Sequence, residues 1–143
     1  MEKTYPDRTI IQTAKMAPQK TTKKRILIIE DDQNTGKFLS YRLRKLNFEV
    51  LLVDDGEKGL SEAKRESPDL VILDLGLPRL SGEEVCKSIR EDHNKKFART
   101  PIIMLTARNS DVDRVIGKVI GANCYMVKPF EADALLKEIR KLF

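Results

Sequence analysis

Asp74 closes the apolar run Leu70 to Leu73 and is followed by the turn-forming residues Gly76, Pro78 and Gly82. A carboxylate delivered by so apolar a segment must face a cation or a partner with chemistry to do. Three other apolar runs also end in reactive side chains. Arg25 to Ile29 leads into Glu30, Asp31 and Asp32, Pro101 to Leu105 into Thr106, and Cys124 to Val127 into Lys128 with Pro129 behind it. Converging carboxylates repel one another and take up protons unless a cation compensates. An all-oxygen set without nearby His or Cys suits a hard divalent ion, and Mg²⁺ suits it better than zinc. Glu30, Asp31 and Asp74 count −3 against Mg²⁺ and Lys128, which leaves the site near neutral and open to a phosphoryl group. Asp74 can then attack phosphorus to form an aspartyl phosphate, while Lys128 and the metal take up oxygen charge and the Thr106 hydroxyl donates to one oxygen. Taken singly, Asp31 and Asp32 read as helix N-terminal acids, Thr106 as a strand-end hydroxyl and Lys128 as a solvated charge. Their shared place at the ends of strands is what points to a site.

The elements that must hold these residues alternate along the chain. Arg25 to Ile29, Phe48 to Val53, Leu70 to Leu73, Pro101 to Leu105 and Cys124 to Val127 are apolar runs of strand length. Amphipathic segments lie between them. Leu39, Leu43 and Leu46 stripe the first, Leu60 and Ala63 the second, and Val85 with Ile89 the third. Val112, Val115, Ile116, Val119 and Ile120 share one face of the fourth, with Gly121 as its stop, and Leu135, Leu136, Ile139 and Leu142 stripe the fifth. Five strands alternating with five helices predict an α/β fold, a doubly wound parallel sheet between two helix layers. In such folds the ligand crevice lies beyond the carboxyl ends of the strands, where the reactive residues gather. The second strand ends in Asp54, Asp55 and Gly56, which read as ordinary turn chemistry.

The 143 residues suit one domain, and 41% hydrophobic content supports a single core. No apolar stretch approaches the roughly 18 residues of a membrane span, and no signal-peptide core is present, so a soluble, cytoplasmic protein is expected. The net charge is +5, but Met1 to Lys24 holds six Lys/Arg against Glu2 and Asp7, so +4 of it lies there. That stretch, residues 1–24, reads as a flexible basic arm or linker rather than a nucleic-acid-binding segment. Cys86 and Cys124 form no CxxC motif and read as packing residues, and the single His93 as a loop residue.

The motifs "IIEDD", "LVILDLGLP…SG", "LTA" and "GANCYMVKPF", in that order, resemble the receiver domain of two-component response regulators, over residues 25–143. The resemblance implies a flavodoxin-like, CheY-like sheet of order 2-1-3-4-5 flanked by five helices. It implies Asp74 as phosphoacceptor, and Mg²⁺ held by Glu30, Asp31, Asp74 and the backbone carbonyl of Gly76. It further implies Lys128 on the phosphoryl group, Thr106 and Tyr125 as switch residues, and a cis bond from Lys128 to Pro129. Phosphorylation is expected to draw Thr106 and Tyr125 inward and to reshape the face of the fourth helix, fifth strand and fifth helix. The implied donor is a sensor histidine kinase or histidine phosphotransfer protein. The implied target is a downstream protein or a missing effector domain, with a phosphorylation-dependent homodimer through the same face. Neither direct nucleic-acid binding nor membrane association is implied, and the only chemistry is the domain's own phosphotransfer and dephosphorylation.

The departures from the family pattern are few. Gly76 stands where a larger apolar residue is frequent, leaving room beside the phosphoryl group, and Asn123 and Cys124 replace residues that are often acidic. A haloacid-dehalogenase-type phosphohydrolase needs a second acid where Gly76 stands, and has a cap domain that this length cannot hold. A binding-only scaffold would have lost the acceptor, the lysine or the acids, all of which are present. A DNA-binding regulator needs an effector domain beyond Phe143, where the last helix is expected to end.

Overall fold

The computed structural model describes residues 23–107, 115, 116, 118 and 120–143. Five parallel strands, β1 (Arg25–Ile29), β2 (Glu49–Val53), β3 (Leu70–Leu73), β4 (Ile102–Thr106) and β5 (Cys124–Val127), form one sheet in the order β2-β1-β3-β4-β5. The helices whose ends lie within the described residues are α1 (Gln33–Lys45), α2 (Gly56–Glu66), α3 (Gly82–Arg90), a single turn α4 (Lys95–Ala98) and α5 (Ala132–Lys141).

The two-sided burial of the central strands explains their unbroken apolar runs. Successive side chains point to opposite faces, so β1 sends Leu27 and Ile29 to one core and Ile26 and Ile28 to the other. The first core is closed by Ala63 of α2, Val85 and Ile89 of α3 and Phe97 of α4. The second is closed by Leu39 and Leu43 of α1 and Leu135 and Ile139 of α5. All four β1 residues from Ile26 to Ile29 are 0% exposed, and each such side chain contributes about 1.5–3 kcal/mol of transfer free energy. The edge strand β2 keeps Leu52 exposed, and the Arg44 guanidinium donates to the outward carbonyl of Val50 at 3.1 Å, which blunts that edge.

Side-chain caps set where the helices begin. Asp32, Asp55 and Asn94 accept from the amides of Thr35, Lys58 and Phe97, and Ser81 with Glu84 forms a reciprocal capping box. Basic residues close the last turns of α1, α2, α3 and α5, as the helix dipole favours.

The structure amends the sequence expectations at several points. Strand β4 runs to Thr106, one residue beyond the apolar run, and β2 starts at Glu49. Leu46 lies past the end of α1 and is exposed, while Leu39 and Leu43 are buried. The polar loop before β4 contains α4, whose Phe97 enters the core while His93 is exposed. On the predicted fourth helix, Val112 and Val119 lie outside the described residues, as do residues 1–22 of the predicted arm. Val115 and Ile116 are exposed at 60% and 41%, and only Ile120 is seen packed against the core. Asn123 has a structural task that its sequence position did not suggest. Its Oδ1 accepts from the Ile102 amide at 2.8 Å and from Arg90 at 2.9 Å, and the Arg90 guanidinium also donates to the carbonyls of Ala98, Thr100 and Gly121. Cys86 and Cys124 are free thiols, and among the described residues no helix is long and apolar enough to cross a membrane.

Candidate functional site at the carboxyl rim of the sheet

The backbone ladder itself gathers the candidate residues. The Glu30 amide donates to Val53 O at 3.0 Å, the Asp74 amide to Ile29 O at 3.1 Å, and the Lys128 amide to Thr106 O at 2.8 Å. Each site residue is therefore the first beyond its strand, or the last within it, and is hydrogen-bonded to the neighbouring strand's end. Parallel pairing in register then carries Glu30, Asp74, Thr106 and Lys128 to one rim. The peptide between Lys128 and Pro129 is cis.

Glu30 is 4% exposed, Asp74 9% and Thr106 3%, whereas Asp31 faces solvent. Lys128 Nζ donates to Glu30 Oε1 at 2.5 Å and lies 3.5 Å from Asp74 Oδ2. The second Glu30 oxygen accepts the Asp32 amide at 3.1 Å, and the Gly76 amide donates to Asp74 Oδ1 at 3.3 Å. Asp32 itself is spent on capping α1 and stays at the edge of the site. Tyr125 lies half-buried on β5 against the α2–α3 side of the core.

Burial pushes the Glu30 carboxyl above the usual carboxylate range. The Lys128 and Asp32 hydrogen bonds pull it down without cancelling that effect, and the Asp74 charge adds to it. Burial alone would lower the Lys128 ammonium, but its bond to Glu30 and the charges of Asp74 and Glu30 outweigh this and raise it above the ordinary lysine value. The site is thus acidic and crowded, with the Lys128 ammonium between Glu30 and Asp74.

Glu30, Asp31 and Asp74 each offer a carboxylate oxygen within 4.8 Å of the others. Octahedral Mg²⁺ with bonds near 2.1 Å spaces its ligands about 3 Å apart when adjacent and about 4 Å apart when opposite. The cluster is compatible with that spacing, and its all-oxygen chemistry agrees with the same ion.

Asp55 was missed from sequence. Read there as turn chemistry, it is 4% exposed and caps α2, and its Oδ2 lies 3.6 Å from Arg79 Nε in the loop that follows Asp74. The signal present was an acid three residues ahead of Lys58, the spacing of an N-cap.

A five-stranded, doubly wound sheet of this order, with an acidic cluster and a lysine on its carboxyl rim, is the architecture of CheY-like domains. Comparison with known proteins agrees. The sequence profile of the response regulator receiver domain matches residues 26–140. The sensory transduction protein RegX3 of Mycolicibacterium smegmatis is 42% identical over 115 residues, covering 80% of this chain and 48% of its own length. The alkaline phosphatase synthesis transcriptional regulatory protein PhoP of Bacillus subtilis is 40% identical over 119 residues, covering 81% of this chain and 48% of its own length. Among solved structures, the chemotaxis response regulator CheY4 of Vibrio cholerae superposes with a TM-score of 0.78 at 30% identity, over 85% of this chain and all of that one. A putative response regulator from Chloroflexus aurantiacus gives 0.78 at 32%, over 84% and 97%. The chain belongs to the response regulator receiver domain family, whose role is phosphorylation-dependent signalling in two-component systems. It spans about half the length of the curated relatives it matches.

Proposed function

We propose that the domain accepts a phosphoryl group on Asp74 and works as a switch for a partner or an attached output domain. The observation that carries this reading is the setting of the Asp74 carboxylate. It is nine-tenths buried at a strand end, 3.5 Å from Lys128 Nζ and clustered with Glu30 and Asp31. Glu30, Asp31, Asp74 and the Gly76 carbonyl are the groups that would hold Mg²⁺. Bound there, the ion supplies positive charge to the phosphoryl oxygens.

Asp74 provides the nucleophilic oxygen, and the bond of its amide to Ile29 O and the bond its Oδ1 accepts from the Gly76 amide hold the carboxylate in position. With a phosphohistidine donor, the new bond is Asp74 oxygen to phosphorus, the broken bond is phosphorus to imidazole nitrogen, and the leaving imidazole takes the electron pair and a proton. Lys128 holds charge that develops on the transferred oxygens, and the Thr106 hydroxyl donates to one of them. In the separate step of dephosphorylation, water attacks the same phosphorus, the bond from phosphorus to the Asp74 oxygen breaks, and inorganic phosphate leaves with the carboxylate restored; the same residues make this step slow but self-catalysed. The drawing in of Thr106 and Tyr125 would alter the face of β5, α5 and the helix before Gly121. That face is the proposed contact for the output and for a phosphorylation-dependent homodimer.

Incubation with Mg²⁺ and acetyl phosphate followed by intact mass tests the reading. A phosphoryl adduct on the native chain that is absent from Asp74→Asn is expected, and no adduct at any Mg²⁺ concentration overturns it.

A further inference from the structure

The loop from Leu75 to Ser81 starts beside the acidic cluster, where the Gly76 amide donates to Asp74 Oδ1 at 3.3 Å, and it is gripped at both ends. At its near end, Leu75 and Leu77 are buried in the core on either side of exposed Gly76, and the Gly82 amide donates to Leu75 O at 3.1 Å. At its far end the grip comes from another element altogether, the head of α2. The Gly56 amide donates to Pro78 O at 3.2 Å. The absent side chain of Gly56 matters as much, because a Cβ there would lie 1.8 Å from Leu80 O. The loop backbone therefore rests directly on the first residue of α2.

Asp55, immediately before, completes the contact. One of its oxygens caps α2 at 2.8 Å from the Lys58 amide, and the other faces Arg79 Nε at 3.6 Å and Lys58 Nζ at 3.9 Å. Arg79 adopts φ +72°, in the left-handed region that a residue with a β-carbon disfavours. That conformation belongs to the turn in which the Leu80 amide bonds back to Pro78 O at 2.8 Å. Asp55 is a buried acid whose Oδ2 lies 3.6 Å from Arg79 Nε.

We infer that Asp55 and Gly56 are positioning residues for the loop after the phosphoacceptor, and that the α2 head sets divalent-cation affinity by holding Gly76 in place. The inference rests on the metal reading given above. Neither residue touches the cluster. They act through Pro78, Arg79 and Leu80, as outer partners orient the groups that ligate a metal.

The test is Mg²⁺ titration calorimetry on the full chain, with tryptic nicking after Arg79 as a second readout. Asp55→Asn keeps the cap acceptor but loses the charge facing Arg79. Arg79→Gln loses the cation, and Arg79→Lys restores it. Asn94→Ala removes the cap of α4 at the opposite end of the sheet and is the control for general destabilisation. Asp55→Asn and Arg79→Gln are expected to bind Mg²⁺ roughly three- to tenfold more weakly. Arg79→Lys and Asn94→Ala should stay within about twofold of native. Cleavage after Arg79 should accelerate in Asp55→Asn and not in Asn94→Ala. Gly56→Ala should show the largest loss, and if it fails to fold, Asp55→Asn decides. Native affinity in both Asp55→Asn and Arg79→Gln, or an equal loss in Asn94→Ala, overturns the inference while leaving the metal site standing. A native chain that binds no Mg²⁺ overturns both.

Discussion

Replacing Gly82 with alanine should disturb Asp74, the proposed phosphoacceptor, more than any change of comparable size on the loop above it. Gly82 opens α3, and a Cβ on it would stand 2.2 Å from the carbonyl oxygen of Asp74 and 2.7 Å from Leu75 Cα. Both neighbours are backbone at the end of a buried strand, so neither can swing aside. Ordinary contact begins near 3.4 Å, so the helix start and the strand end must separate by about 1.2 Å. Overpacking of this kind costs about 2–3 kcal/mol, against a helix-propensity gain of at most about 1 kcal/mol for alanine. A net loss near 2 kcal/mol, at about 4 °C per kcal/mol for a domain of this size, lowers Tm by about 8 °C. A shift of that size at a reacting carboxylate also slows the chemistry by about a hundredfold. Scanning calorimetry gives the first quantity, and the rate of adduct formation from acetyl phosphate, followed by intact mass, gives the second. Gly76→Ala is the matched control, since nothing lies within 4 Å of a Cβ there, and its Tm should stay within about 2 °C of native. Native Tm and native rate in Gly82→Ala would refute the claim that close approach of α3 aims Asp74.

Two further outcomes follow from the same geometry. Nothing lies within 4 Å of a Cβ at Gly76, and on the proposed reading that space would let water reach a phosphoryl group on Asp74, so Gly76→Met should lengthen the aspartyl-phosphate lifetime by roughly two- to tenfold, and an unchanged decay rate in a chase experiment counts against it. The hydrogen bond from Arg25 holds the Glu66 carboxyl below its ordinary value of 4.5. A folded-state pKa below the unfolded one stabilises the fold above pH 4.5 and loses that stabilisation as pH falls through the lowered value. Glu66→Gln should therefore be less stable than native at neutral pH and flatter in its stability below about pH 4.5. Parallel urea midpoints for the two proteins from pH 7 to pH 3 would contradict this.

Much of this molecule could be read from its residue pattern. Strands buried on both faces must be apolar throughout, so Ile26–Ile29, Leu70–Leu73 and Ile102–Leu105 announced themselves, and alternation with amphipathic stripes implied parallel pairing through crossovers. The acids, the hydroxyl and the lysine were legible because each directly follows or ends a strand, where a rigid element can aim it. The tertiary structure alone decided how those ends meet. Nothing local shows that Lys128 bonds Glu30 98 residues away, or that Arg90 and Asn123 tie α3 to the start of β4. Nor does it show that "DDG" supports the loop beyond Asp74, because Gly56 presses on Leu80 only once α2 and α3 are side by side. Periodicity likewise placed Val115 and Ile116 on one apolar face without revealing that both face solvent. Local spacing reports which way a side chain points from its own element. What stands opposite depends on contacts between distant segments, which form only when the chain is packed.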